Sequence, residues 1–202
     1  LFITPFVPNQ TGGGFNFTRQ LLETLADENS IDVIYFKYDV DEPYKPISSN
    51  IHILNCFKNS KLNKYKNILT FPIIHPIYSV RFNWFILHYI KNLLKKSNYD
   101  LLYVDYSQMM LYSKMITGIK KIIMCHDVMA QRFSRESNFI ATKWACISEK
   151  YVLNDKNGTI FTFSGKDQKL LNDLYGYKSN VTNFFLDNIV KETKPNIIEN
   201  NI

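Results

Sequence analysis

Hydrophobic positions change period along this chain. Leu1–Val7 is a continuous apolar run closed by Pro8, whereas Phe17, Leu21, Leu22 and Leu25 recur at helical spacing within residues 16–29. The first predicts a strand and the second a helix, with a glycine turn between them. Ile31–Tyr38, rich in β-branched and aromatic residues, predicts a second strand, and Ile51–Leu54 a short third one beyond a proline-broken loop. Residues 55–78 carry no clear period. From Phe82, the positions Phe85, Ile86, Tyr89, Ile90, Leu93 and Leu94 follow one helical stripe.

Three further strand runs, Asp100–Val104, Lys121–Cys125 and Thr159–Phe163, alternate with helical patterns over Ser107–Thr117, Phe139–Asp155 and Gly165–Tyr175, and an apolar run Val181–Leu186 follows. Short apolar strands alternating with crossover helices predict an α/β fold, a Rossmann-like parallel β-sheet with helices on both faces. Residues 1–186 are expected to form that domain. Residues 187–202, polar and containing Pro195, resemble a linker.

Composition narrows the function classes. With 202 residues and 46% hydrophobic side chains, the chain can bury a substantial core. A net charge of +6 favours anionic ligands or an acidic membrane surface, but Lys and Arg are dispersed, which argues against nucleic acid. Cys56, Cys125 and Cys146 are too far apart for a C-x-x-C metal or redox motif, so no metal is expected and a reducing cytoplasm is the simpler setting. No apolar run approaches the ~20 residues that span a bilayer. Trp84, His88, Lys91 and Lys95 share one side of their helix, which allows a peripheral contact with the inner face of an anionic membrane or, more simply, a solvated face.

In parallel sheets ligands bind beyond the carboxyl ends of the strands, so the chemistry is sought there. The first strand runs into Gly12, Gly13 and Gly14 just before a helix, where backbone N–H groups can approach a phosphate, or where glycine merely permits a tight turn. Neither the third glycine of a dinucleotide fingerprint nor the Lys-Ser/Thr of a P-loop follows. The strand Lys121–Cys125 ends in His126-Asp127, an imidazole that can donate to a sugar hydroxyl or a forming charge, beside a carboxylate that could orient it or cap the next helix. Ser164 after the next strand satisfies an N-cap preference and lacks the G-x-S-x-G context of a hydrolase nucleophile. His52, His75 and His88 have no such placement and are read as structural.

Four stretches together carry a resemblance: Phe2–Gly14, the Asp100-Leu-Leu-Tyr-Val strand, Ile122-Ile-Met-Cys-His-Asp127, and the segment from Trp144 through Glu149, Asp155 and Ser164 to Tyr175-Gly176. They resemble the N-terminal domain of retaining GT-B glycosyltransferases, the family 4-like (group 1) enzymes of polysaccharide and lipid-linked glycan synthesis. The resemblance implies the acceptor-side half of a two-domain transferase, moving a sugar from a nucleotide-diphosphate-sugar to a glycan or lipid-linked acceptor without a further cofactor. It gives His126 contact with the transferred sugar and the glycine loop contact with the donor diphosphate; Glu149 is read as a packing or loop-anchoring residue. The family's pair of Glu residues eight apart is missing, and Phe184–Asp187 replaces its Asn-Gly turn. The first strand opens the chain without Met, so an excised domain of a longer protein is expected, nearly inactive alone. A nucleotide-sugar epimerase of the same fold and a non-catalytic Rossmann-like binding module remain as alternatives.

Overall fold

A computed structural model of the chain describes residues 1–8, 13–58 and 60–182. Seven strands form one all-parallel sheet: β1 (Phe2–Thr4), β2 (Ile31–Lys37), β3 (Ile51–Lys58), β4 (Leu101–Asp105), β5 (Lys120–Cys125), β6 (Gly158–Thr162) and β7 (Ser179–Val181). The helices are α1 (Gly13–Leu25), α2 (Lys61–Thr70), α3 (Pro76–Ser79), α4 (Trp84–Lys96), α5 (Met110–Met115), α6 (Met129–Glu136), α7 (Phe139–Leu153) and α8 (Gly165–Tyr175). The expected α/β, Rossmann-like architecture is therefore the one observed, with strand order β3-β2-β1-β4-β5-β6-β7.

Alternation along each strand sends its side chains to two separate cores. Phe2, Val33, Tyr35, Tyr103 and Met124 pack under Phe17, Leu21 and Leu22 of α1. Ile3, Ile34, Leu102, Val104 and Ile123 face the remaining helices, including Ile90 of α4 and Leu171 of α8. This two-sided burial follows from the order of the crossovers: the chain steps from β1 outward to β3, then jumps across β1 to β4 and proceeds the other way. The reversal creates a switch point between β1 and β4, where ligand crevices form in such sheets.

Several element boundaries differ from expectation. β1 stops at Thr4 because Pro5 has no N–H for the ladder of a central strand. The stretch without period holds an extended β3 and the helix α2, whose Ser60 cap accepts from the Asn63 amide. A 3₁₀ turn at Ser107–Met109 precedes α5, so the single helix expected over residues 107–117 is shorter and broken. Phe85, assigned to the apolar stripe of α4, is 73% exposed. Residues 183–202, with all of the Val181–Leu186 run beyond Thr182 and the proposed linker, lie outside the described residues.

Candidate functional site

The switch point gathers the ends of β1, β4 and β5. Thr4 closes β1, Asp105 closes β4, and His126 follows β5. His126 Nε2 lies 2.7 Å from Asp105 Oδ1, and both side chains are buried. The hydroxyls of Thr4 and Thr18 each donate to Asp105 Oδ2 at 2.8 Å. A carboxylate filled by these donors accepts from Nε2–H, which places the proton there and leaves Nδ1 as the unshared nitrogen.

That nitrogen faces α1. A Cβ placed on Gly14 would lie 3.5 Å from His126 Nδ1 and 2.3 Å from the Tyr106 hydroxyl. Gly14 has no positive φ; what requires glycine is close approach, since any side chain there would collide with Tyr106. Gly13 opens α1, and Gly12 lies outside the described residues.

An aromatic cage fixes the imidazole plane. Tyr106 stacks on His126 with centroids 3.5 Å apart and planes 10° off parallel. Phe17 and Phe163 meet the ring edge-on at 5.5 and 4.9 Å. Tyr106 holds φ +63°, a conformation costing a non-glycine residue about 1–3 kcal/mol, and such strain concentrates at functional sites. Burial, with the Asp105 charge close by, pushes the Tyr106 hydroxyl well above the usual phenol range.

The structure redistributes the two roles considered for Asp127. Its side chain is exposed, with Arg132 Nη1 at 3.8 Å. The ring of His126 is oriented by Asp105 instead. The start of α6 has no side-chain cap from its own segment; the buried Glu149 carboxylate accepts from the amides of Met129 (2.7 Å) and Ala130 (3.0 Å) and from the Tyr175 hydroxyl (2.7 Å). Glu149 thus anchors a loop, as its sequence context indicated. Burial holds its carboxyl above the ordinary value of 4.5.

Ser164 is the N-cap of α8. Its Oγ accepts from the Asp167 amide at 3.1 Å and donates to Asp167 Oδ2 at 2.6 Å, so its hydrogen-bonding capacity serves the cap. Gly14 and His126 are brought together; Asp127 and Ser164 stand outside their contact. Asp105, Thr4, Thr18 and Tyr106 were missed, although Asp105 carries a readable signal as a carboxylate ending an apolar strand run.

His75 is structural: its Nδ1 accepts from the Ile77 amide, its ring lies against Phe133 and Trp144, and burial lowers its pKa. A cavity of about 750 Å³ lies elsewhere, under α1 on the other stretch of the sheet, lined by Phe2, Phe17, Leu21, Tyr103, Ile122 and Phe161. It includes neither His126 nor Asp105. Among the described residues no cluster of His, Cys, Asp and Glu is arranged to hold a metal, and no helix is long and apolar enough to cross a membrane. No protein-family model, curated protein or solved structure matches the chain.

Proposed function

We propose that this domain is the acceptor-side half of a glycosyltransferase that moves a sugar from a nucleotide-diphosphate-sugar to a glycan or lipid-linked acceptor. The observation that carries the reading is the Asp105–His126 pair at the switch point, with its imidazole turned toward the start of α1. An imidazole held in one orientation by Asp105 can hydrogen-bond a sugar hydroxyl, and the free amides and dipole of a helix N-terminus favour a diphosphate. The residue order that resembles GT-B transferases supplies the reaction class; the fold alone would not.

The test is transfer of labelled sugar from a panel of nucleotide-diphosphate-sugars by the protein expressed from its whole reading frame. His126→Gln keeps a donor toward Asp105 but removes the imidazole, and is expected to lower transfer by about 100-fold, the usual cost of losing one positioned polar group. Absence of transfer with every donor, or an unchanged rate in His126→Gln, overturns the reading. Equal turnover of the nucleotide sugar without acceptor favours an epimerase instead.

The same reading includes a peripheral contact with anionic membrane. Exposed Leu62, Tyr65 and Leu69 share α2 with Lys61 and Lys66, and exposed Trp84 and Phe85 open α4, a mixture that suits a headgroup boundary. Cosedimentation with phosphatidylglycerol vesicles but not phosphatidylcholine vesicles is expected. Equal recovery with both sinks it.

A further inference from the structure

A second polar centre lies on the same edge of the sheet, beyond Phe6. Arg81, in the turn between α3 and α4, is 5% exposed. Its Nη2 donates to the Tyr38 hydroxyl at 3.2 Å, while Nε and Nη1 are buried with no hydrogen-bond partner among the described residues. The guanidinium sits over the rings of Phe6 and Tyr38, 5.1 and 5.4 Å from their centroids. Lys64 Nζ donates to the same Tyr38 hydroxyl at 3.2 Å. Two cations thus converge on one phenol oxygen.

Their charge is not balanced locally. Among the described residues neither Arg81 nor Lys64 forms an ion pair; Asp39 pairs with Lys58, and Asp41 accepts from the Tyr38 amide. A cavity of about 20 Å³ opens beside them, lined by Lys58, Ser60, Asn63, Lys64, Arg81 and Asn83, with no carboxylate in its wall. Ser60 and Asn83 are the N-caps of α2 and α4, so two helices begin at this cavity. A buried guanidinium with two nitrogens unused is costly unless an acceptor completes it, and helix N-termini favour the same charge. Although burial works against it, hydrogen bonds from Arg81 and Lys64 hold the Tyr38 hydroxyl below the usual phenol range, in keeping with a positive local field.

We propose that Arg81 and Lys64 form an anion site that takes a phosphate group. The cavity admits one or two oxygens, and the rest of the ligand stays at the surface. Arg81 keeps free donors on Nε and Nη1 for phosphate oxygens, and Lys64 adds a point charge. The site does not depend on the transferase reading; if that reading holds, the phosphate belongs to the acceptor, because the site lies on this domain and is linked to His126 through the rings of Phe6 and Tyr106.

The test is a ¹H–¹⁵N NMR titration of the protein with inorganic phosphate, glycerol 3-phosphate and acetate, following the Arg81 Nε–H signal. Phosphate is expected to shift that signal saturably. Lys64→Gln, which alters a half-exposed side chain, is expected to weaken binding about tenfold, the loss of one charge-assisted hydrogen bond. Arg81→Gln is expected to abolish it. Tighter binding of the ester than of free phosphate assigns the group to a larger ligand; equal binding assigns it to free phosphate, and the site stands in both cases. The proposal falls if the Arg81 signal does not move, if acetate binds as well as phosphate, or if Lys64→Gln binds phosphate as wild type does, which marks an adventitious ion only. Absence of transfer activity with phosphate binding intact would count against the transferase reading and leave this site intact.

Discussion

Asp105 and His126 come from neighbouring strands of the switch point, and their side chains meet at 2.7 Å inside the protein. Because Thr4 and Thr18 fill the other carboxylate oxygen, Asp105 acts as a fixed acceptor that sets both the ring plane and the tautomer of His126. Asp105→Asn presents an amide where three donors converge, and is expected to destabilise the fold by about 1–3 kcal/mol. Urea unfolding measures the loss, and ¹⁵N chemical shifts of His126 report the tautomer. An unchanged Nε2–H tautomer in the variant would show that Asp105 does not set it.

Gly14 and Tyr106 should be coupled. Gly14→Ala puts a methyl group 2.3 Å from the Tyr106 hydroxyl, and overpacking of this kind costs about 1–3 kcal/mol. Removing that hydroxyl in Tyr106→Phe leaves the nearest ring atom at 3.3 Å, a contact that a small shift relieves. In a double-mutant cycle the Ala substitution should therefore cost at least about 0.5 kcal/mol less in the Phe background. Additive losses would mean that Tyr106 moves away freely.

Glu149 gives a pH dependence with a defined sign. Its folded-state pKa is raised by burial above 4.5, so the folded protein holds this proton more tightly than the unfolded chain does. Its contribution is greatest below the unfolded value and declines as pH rises through the folded one. Glu149→Gln removes that decline. The stability difference between wild type and variant should shrink as pH rises from about 4.5 toward neutrality, measured by denaturant unfolding at each pH. A difference that grows with pH would contradict the assigned direction.

Lys121 is buried, and its Nζ reaches Asp155 Oδ2 and the Ile116 carbonyl at 2.5 Å and the Ser113 carbonyl at 2.9 Å. Replacing it by Met leaves a buried carboxylate without its cation, and a loss of about 3–5 kcal/mol is expected. Thermal or urea unfolding measures this, and a loss under about 1 kcal/mol would show that Asp155 is solvated in the folded state.

The sequence by itself determined the parallel sheet, because strand and helix periods are local properties of the chain. Runs such as Lys121–Cys125 and stripes such as Phe17 to Leu25 announce their elements without any partner. It also located His126 just after a strand and Gly14 at the passage from the first strand into the first helix, since chain order fixes which residues follow which element. Only tertiary structure decided their partners. Asp105 lies 21 residues from His126 and reaches it through the pairing of β4 with β5, while Glu149 rather than Asp127 caps α6 because α7 packs beside it. The guanidinium of Arg81, without an ion pair among the described residues, was equally hidden, since residues 55–78 lack a hydrophobic period and α2 reveals its contribution only when folded beside Tyr38. Hydrophobic periodicity is written along one dimension; hydrogen-bond partnership and charge balance depend on distances that exist only after the sheet has brought remote strand ends together.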